Sequence, residues 1–210
     1  MASKFLTRFV TARWFILLAG IILGAIAILG VRFVTYHTDA VHYHANFALY
    51  INGQQEPFKG SQYYEEEAMC SIATTVTPET RAHMHDNIND VVHVEDHAVT
   101  WGQFFANLGW TLGPNFIARP DGTIFAAQGD MKLNVLLNGQ DHTGVNDITN
   151  TVINDEDKLL ISYGDESSAS LQQQYHAIPS TAHHYDVTPD PASCSGQTTS
   201  DFSQRMQHLF

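Results

Sequence analysis

The sequence predicts an α+β protein, with one N-terminal transmembrane helix and a single small domain that combines a mixed or antiparallel sheet with a short helix. Three observations predict it. An uncharged apolar run lies near the N-terminus, a capped helix lies near the middle of the chain, and strand-like segments ending in turn residues lie on both sides of that helix. Strands grouped around one helix, without regular βαβ alternation, are typical of α+β folds.

The apolar run begins at Trp14, ends at Val31 and is 18 residues long without a charged side chain. A hydrocarbon core of about 30 Å needs about 20 apolar residues in a helix, so the run can just span a lipid bilayer. A cleaved signal peptide is the alternative, because Ala25 and Ala27 form a small-x-small site. The apolar part of a signal peptide is about 7–15 residues long, however, and we therefore favour an uncleaved anchor.

Basic residues indicate the orientation of this anchor. Lys4, Arg8 and Arg13 precede the run, whereas Arg32 alone follows it closely. Positive charge accumulates on the cytoplasmic side of a membrane span. The sequence therefore predicts a plasma-membrane protein with a cytoplasmic N-terminus and with residues 33–210 outside.

Composition divides the chain further. After Gly164 the sequence becomes rich in Ser, Gln, Thr and Pro and poor in large aliphatic residues, except for a short predicted helix at 170–175. Such a composition favours a polar tail that is disordered or wrapped on the domain. The predicted organisation is a cytoplasmic tail (1–13), an anchor (14–31), a linker (33–41), an extracytoplasmic α+β domain (42–166) and a polar C-terminal tail (167–210).

The charge balance excludes one class of partner. The net charge is −12, and all 22 acidic residues follow the apolar run. Such a surface repels nucleic acids, so we expect no nucleic-acid partner. It is compatible with a cation or with a basic partner.

Two cysteines, Cys70 and Cys194, lie in the predicted exterior part. An even number of cysteines outside the membrane favours a disulfide, which would tie the tail to the domain. Closure of so long a loop contributes about 4–5 kcal/mol in the chain-entropy model. A copper thiolate is the alternative, and the absence of Cys-x-x-Cys leaves a thioredoxin-type redox role without support.

The predicted elements of the domain follow from local patterns. Residues 47–51 form a strand that ends at Asn52-Gly53, and residues 91–95 form a second strand. A short helix begins at Thr100, whose capping box includes Gln103, and stops at Gly109. Later strands are predicted at 117–119 and 123–125 around a Pro-Asp-Gly turn, at 133–137 before Asn138-Gly139, and at 158–163 after an acidic turn. This order of elements resembles the β-grasp (ubiquitin-like) arrangement.

Three pairs of potential metal ligands have i,i+2 spacing. They are His42 and His44, His83 and His85, and His93 and Glu95. Residues two apart on a strand point to the same face, so each pair can offer two ligands to one point. Imidazole suits zinc or copper, and we predict a metal site formed by His42, His44, His83, His85 and His93.

Carboxylates near these histidines extend the hypothesis. Asp86 and Glu95 are either ligands themselves or acceptors that orient an imidazole. The acidic loop 86–90 lacks the glycine and glutamate of an EF-hand, so we interpret it as a turn. The alternative for the whole set is a group of incidental surface histidines, since the chain carries 12.

Other histidines and motifs rank lower. His97 and His142 stand alone, and the adjacent His183 and His184 point to opposite faces of an extended chain. Met84 points away from its neighbouring histidines, so it is a poor axial ligand for copper. No His-Glu-x-x-His, nucleophile elbow or phosphate-binding glycine loop is present in the sequence, and an enzymatic activity is therefore not the favoured interpretation.

Several motifs resemble a group of uncharacterised prokaryotic membrane-anchored, extracytoplasmic His-rich proteins. They are HYHANFALYING at 42–53, HMHD at 83–86, VVHVE at 91–95, TWGQFF at 100–105 and DKLLISYG at 157–164. The resemblance implies a prokaryotic envelope location and carries over no catalytic residue. The favoured hypothesis is a membrane-anchored binder of a transition metal. The alternatives are a non-catalytic accessory subunit with a membrane-protein partner, or a metal-dependent hydrolase with Glu95 or Asp86 as general base.

Overall fold

The computed structural model describes residues 2–36, 41–64, 77–85, 87–142, 144–187, 202–207 and 209. Cys70, Cys194 and Asp86 lie outside these residues, so the predicted disulfide and the role of Asp86 stay predictions. The chain divides into two compact units, one comprising Met1–Asp39 with Gln197–Phe210 and the other Ala40–Gly196. The predicted α+β class, with an N-terminal apolar helix and a mixed sheet, is confirmed.

The first unit is dominated by helix α1 (Ala2–Thr35). Its part from Trp14 to Thr35 is long and apolar enough to cross a membrane by length and composition, a test that a signal sequence also passes. The helix continues through Arg32–Thr35, so it includes the start of the predicted linker. A short C-terminal helix (Phe202–Gln207) lies beside its end, where Arg205 Nη1 donates a hydrogen bond of 2.9 Å to the Phe33 carbonyl.

The second unit holds the sheet. Its elements are β1 (Tyr43–Ile51), β2 (Gln54–Gln55), a 3-10 turn (Ser61–Tyr63), α2 (Pro78–Arg81), β3 (Ala82–His83), β4 (Val91–Val94), α3 (Trp101–Asn107), β5 (Thr111–Leu112), β6 (Phe116–Ala118), β7 (Ile124–Ala126), β8 (Lys132–Leu137), β9 (Gln140–His142), α4 (Val145–Thr149), β10 (Lys158–Gly164), α5 (Ser168–Ala177) and α6 (Ala182–Val187). The main sheet has the order β3-β4-β1-β10-β8-β9, with β2 paired to β1. Strands β1 and β10 are parallel, and the other pairs are antiparallel.

Two of the hairpins contain Asn-Gly turns. Asn52 and Gly53 have φ of 49° and 76°, and Asn138 and Gly139 have φ of 53° and 77°. Positive φ at both central positions belongs to the two-residue hairpin turn whose twist matches that of the strands. These turns return the chain from β1 to β2 and from β8 to β9, as the sequence predicts.

Helix α3 has the predicted caps. The Gln103 amide donates to Thr100 Oγ1 at 3.2 Å, and the Thr100 amide donates to Gln103 Oε1 at 3.0 Å. Gly109, with φ of 75°, follows the helix in the left-handed conformation. The buried rings of α3 pack on one face of the sheet, where Phe104 and Phe47 meet edge to face at 4.9 Å between centroids.

Both faces of β1 are buried, which explains why its sequence does not alternate. Phe47 and Leu49 belong to the main core under α3. Ala48 and Tyr50 point to the other face, where they form a second apolar cluster with Leu136, Leu160 and Ile178. His44 lies on this second face of β1 because it occupies an even-numbered position, as Ala48 and Tyr50 do.

The small sheet β5-β6-β7 is a difference from the predicted single sheet. The β6–β7 hairpin was expected from its Pro-Asp-Gly turn, and Ile117 pairs with Phe125 across it. Its pairing with β5 was not expected, because a two-residue strand carries no periodicity that a sequence pattern can reveal.

Candidate metal centre

Three neighbouring strands bring the predicted ligands into one row. Strand β4 lies between β1 and β3. His93 on β4 pairs with His44 of β1 on one side and with His83 of β3 on the other. Residues two positions away share the same face, which adds His42, His85 and Glu95 to the row. The intervening residues Ala45, Ala82, Met84, Val92 and Val94 point into the main core. The predicted adjacency of the three pairs at one end of the sheet is therefore present.

One ring nitrogen of His93 faces two other imidazoles. His44 Nε2 lies 2.8 Å and His85 Nε2 lies 3.0 Å from His93 Nδ1. A neutral imidazole nitrogen has either one N–H or one in-plane lone pair, so Nδ1 can form only one strong hydrogen bond with these two nitrogens. The ring of His42 stands 4.5 Å from that of His93, between centroids. Lone pairs of several imidazoles can therefore converge at this point.

The other ring nitrogen of His93 faces a carboxylate. Glu95 Oε1 lies 3.0 Å from His93 Nε2, and the His83 ring stacks on the His93 ring at 5.0 Å. His83 Nδ1 lies 3.2 Å from the carbonyl oxygen of Glu79. A hydrogen bond donated there places the lone pair of neutral His83 on Nε2. His83 and Glu95 thus form a second group of potential ligands with His93, in which one ligand atom of each residue lies within 4.8 Å of the others.

Burial keeps the central imidazole neutral. His44, His83 and His93 are 3 %, 4 % and 1 % exposed. Burial, followed by the positive charges that His83, His44, His42 and His85 would carry, lowers the pKa of His93 well below its usual 6.5. Neutral imidazole is the form that binds a metal ion.

A small cavity lies against the Nδ1 side of this cluster. It has a volume of ≈ 10 Å³ and is lined by His44, His85, Ile88, Val91, His93 and Tyr185. About one water-sized sphere fits into such a space. The cavity is thus on the scale of a single ion or water.

Helix α6 covers the cluster from the second face of the sheet. Asn46 Oδ1 accepts hydrogen bonds from the amides of Thr181 at 3.0 Å and Ala182 at 2.9 Å, which holds the start of α6 on β1. Near its other end, Asp186 Oδ1 lies 2.7 Å from His44 Nδ1. A carboxylate on the second nitrogen of an imidazole orients the ring and directs its other nitrogen to a metal.

Asp186 was not predicted, and no spacing in the sequence indicates it, because 142 positions separate it from His44. Burial raises the pKa of its carboxyl group. The part of the chain predicted as a polar tail contains three helices in its described portion, α5, α6 and Phe202–Gln207. Four of its residues are buried, namely Leu171, Gln174, Ile178 and Ala182.

The potential ligands form three sets in the described part of the chain. Each set can place one ligand atom per residue within 4.8 Å of the others, and the sets are His42, His44 and His93; His83, His93 and Glu95; and Glu156, His183 and Asp186. The ligand atoms of a tetrahedral zinc ion with bonds of about 2.0–2.1 Å lie about 3.3–3.4 Å apart, so binding needs side-chain movements of up to about 1.5 Å. The first two sets are largely buried, whereas Glu156 and His183 are exposed.

The lower-ranked residues are not among the ligands of the two buried sets. Met84 is fully buried in the main core, away from the imidazoles. His142 lies on β9, at the opposite edge of the sheet from β3. His183 Nδ1 lies 2.8 Å from Glu156 Oε1. Asn87, in the acidic loop, has φ of 57°, which agrees with the interpretation of this loop as a turn.

Comparison of the chain with protein-family models, with curated proteins and with solved structures finds no match. The geometry of the histidine cluster is therefore the basis for a function.

Proposed function

We propose that this protein binds a transition metal ion, zinc or copper, through the histidine cluster on strands β1, β3 and β4. The observation that carries the proposal is the convergence of two imidazole nitrogens on His93 Nδ1, at 2.8 and 3.0 Å. A neutral imidazole nitrogen forms one strong hydrogen bond, whereas a cation accepts a lone pair from each of several nitrogens.

The type of ligand supports zinc or copper over calcium or magnesium. Imidazole nitrogen is the main donor in the cluster, whereas calcium and magnesium take oxygen ligands. Glu95 adds one carboxylate, a group that zinc also accepts. The ion-sized cavity is compatible with capture or delivery of a metal.

The location is part of the same proposal. We infer that α1 anchors the protein in the plasma membrane and that the histidine-bearing unit lies outside the cytoplasm. Support comes from the apolar segment from Trp14 to Thr35 and from the basic residues that precede it. Fusion of a reporter enzyme to the C-terminus, active only outside the cytoplasm, tests the orientation.

The β-grasp analogy also remains a proposal. It is supported by the parallel pairing of the first strand β1 with the last strand β10 at the centre of the sheet, with α3 between them in the sequence. A shared fold of this type carries no function by itself.

The test of metal binding is elemental analysis of the full chain, kept in mild detergent and purified without a histidine tag or immobilised metal. We expect at least one zinc or copper ion per chain. The double variant His83→Ala, His85→Ala should lose bound metal, and His142→Ala is the matched control because His142 lies at the opposite edge of the sheet. Unchanged metal content in the double variant contradicts the proposal.

A further inference from the structure

We propose that His93 bridges two metal ions, with one ion on each of its ring nitrogens. This inference rests on the proposed function, because it assigns two ions to the cluster for which metal binding is proposed. The sets His42, His44, His93 and His83, His93, Glu95 share only His93.

The first ion would lie on the Nδ1 side of the bridge. His44 Nε2 is 2.8 Å from Nδ1, and Asp186 on the opposite nitrogen of His44 directs Nε2 to this point. His85 Nε2, at 3.0 Å, approaches Nδ1 from β3. His42 completes the group from the same face of β1, with its ring 4.9 Å from that of His44. Among the described residues, the potential ligands on this side are therefore all imidazole nitrogens.

The second ion would lie on the Nε2 side. Glu95 Oε1 is 3.0 Å from Nε2, and the lone pair of His83 is placed on its Nε2 by the contact of Nδ1 with the Glu79 carbonyl. This set offers two nitrogens and one carboxylate, and the Glu95 side chain is 17 % exposed. Such a set is typical of a zinc or copper site with an open position.

Formation of the bridge removes one proton from the His93 ring. Neutral His93 carries one ring proton, and the first ion takes the lone pair of the unprotonated nitrogen. The second ion replaces the proton on the other nitrogen, which leaves to water, and the ring becomes an imidazolate. With bonds of about 2.0–2.1 Å to each nitrogen, the two ions would stand about 6 Å apart across the ring. The negative charges of the imidazolate and of Glu95 offset part of the positive charge of the ions.

The alternative is a single ion on Nδ1, with Glu95 only accepting a hydrogen bond from Nε2–H and orienting the ring. A Cu²⁺ titration distinguishes the single-ion site from the two-ion bridge. The full chain is titrated with Cu²⁺ and then exchanged into buffer that contains glycine as a weak competitor. Copper per chain is measured by elemental analysis, and the same samples are measured by electron paramagnetic resonance. Two Cu²⁺ ions joined by an imidazolate couple their unpaired electrons, so the integrated signal per copper falls steeply.

We expect two Cu²⁺ per chain and loss of most of the integrated signal once both sites are filled. Glu95→Gln and His83→Gln should each retain one Cu²⁺ with its full signal, and His142→Gln should behave as the unmodified chain does. Circular dichroism confirms that each variant is folded.

One Cu²⁺ per chain, or two with full signal, overturns the bridge and leaves the proposed metal binding intact. Retention of the coupled pair in both the Glu95 and His83 variants also overturns it. No retained Cu²⁺ overturns the proposed copper site and the bridge together.

Discussion

The buried imidazole of His93 should make the metal-free protein less stable as the pH falls below 6.5. Its pKa in the folded chain is held well below the usual 6.5 by burial and by the surrounding histidines. An unfolded chain binds a proton on this ring near pH 6.5, whereas the folded chain does not. Below that pH the unfolded state therefore binds more protons, and the free energy of unfolding falls. Above pH 6.5 neither state is protonated, and the contribution is fully present.

The magnitude follows from linkage. One proton bound only by the unfolded chain lowers the free energy of unfolding by about 1.4 kcal/mol between pH 7.5 and pH 5.5. The loss stops only when the pH reaches the lowered pKa of the folded state. Other groups also titrate in this range, so the quantity of interest is the difference between the chain and a variant in which this position cannot titrate.

Urea denaturation in the presence of a chelator measures the effect, with the fluorescence of the buried Trp101 and Trp110 as the signal. The free energy of unfolding of His93→Gln should fall by about 1.4 kcal/mol less between these two pH values than that of the unmodified chain. His142→Gln should keep the full dependence. If His93→Gln loses as much stability as the unmodified chain does, a neutral, buried imidazole at this position is refuted.

Three further predictions concern the scaffold, each checked by thermal or urea unfolding. Gly102→Ala should destabilise the fold by about 1–3 kcal/mol, because a Cβ there would lie 2.5 Å from the Thr149 carbonyl oxygen; unchanged stability would contradict this contact. Thr100→Ala should cost about 1 kcal/mol by removing the N-cap of α3, and Thr100→Ser should retain most of it. Asp157→Ala should lower the free energy of unfolding by about 3 kcal/mol, because Asp157 is buried and accepts a hydrogen bond of 2.8 Å from Asn138 Nδ2. A smaller loss than that of Thr100→Ala would contradict a stabilising role of this buried carboxylate.

The sequence predicts local features of this protein well because their causes are local. The Asn-Gly turns require positive φ at both residues, and the capping box of α3 lies within four residues. The side on which each histidine pair lies follows from the two-residue period of a strand. Once β1 and β3 flank β4 in the observed register, the row of imidazoles follows.

Long-range pairing could not be predicted in the same way. Nothing local to 158–164 indicates that β10 inserts beside β1, in parallel and between β1 and β8. The contact of Asp186 with His44 is equally unpredictable from a local pattern, because it depends on Asn46 holding the start of α6 on β1. These contacts arise from burial of the second face of the sheet, and a linear pattern of residues does not specify that geometry.

The central position of β1 has a consequence for the order of folding. Its parallel partner β10 comes more than one hundred residues later in the chain, so β1 keeps an unpaired edge until nearly all of the unit has been synthesised. Contacts of such long sequence separation form slowly, and an open strand edge invites aggregation in the meantime. The histidine-bearing strands β1, β3 and β4 are all complete by residue 94, long before β10. If the proposed metal ion binds at that stage, it would hold β1, β3 and β4 in register before β10 pairs with β1.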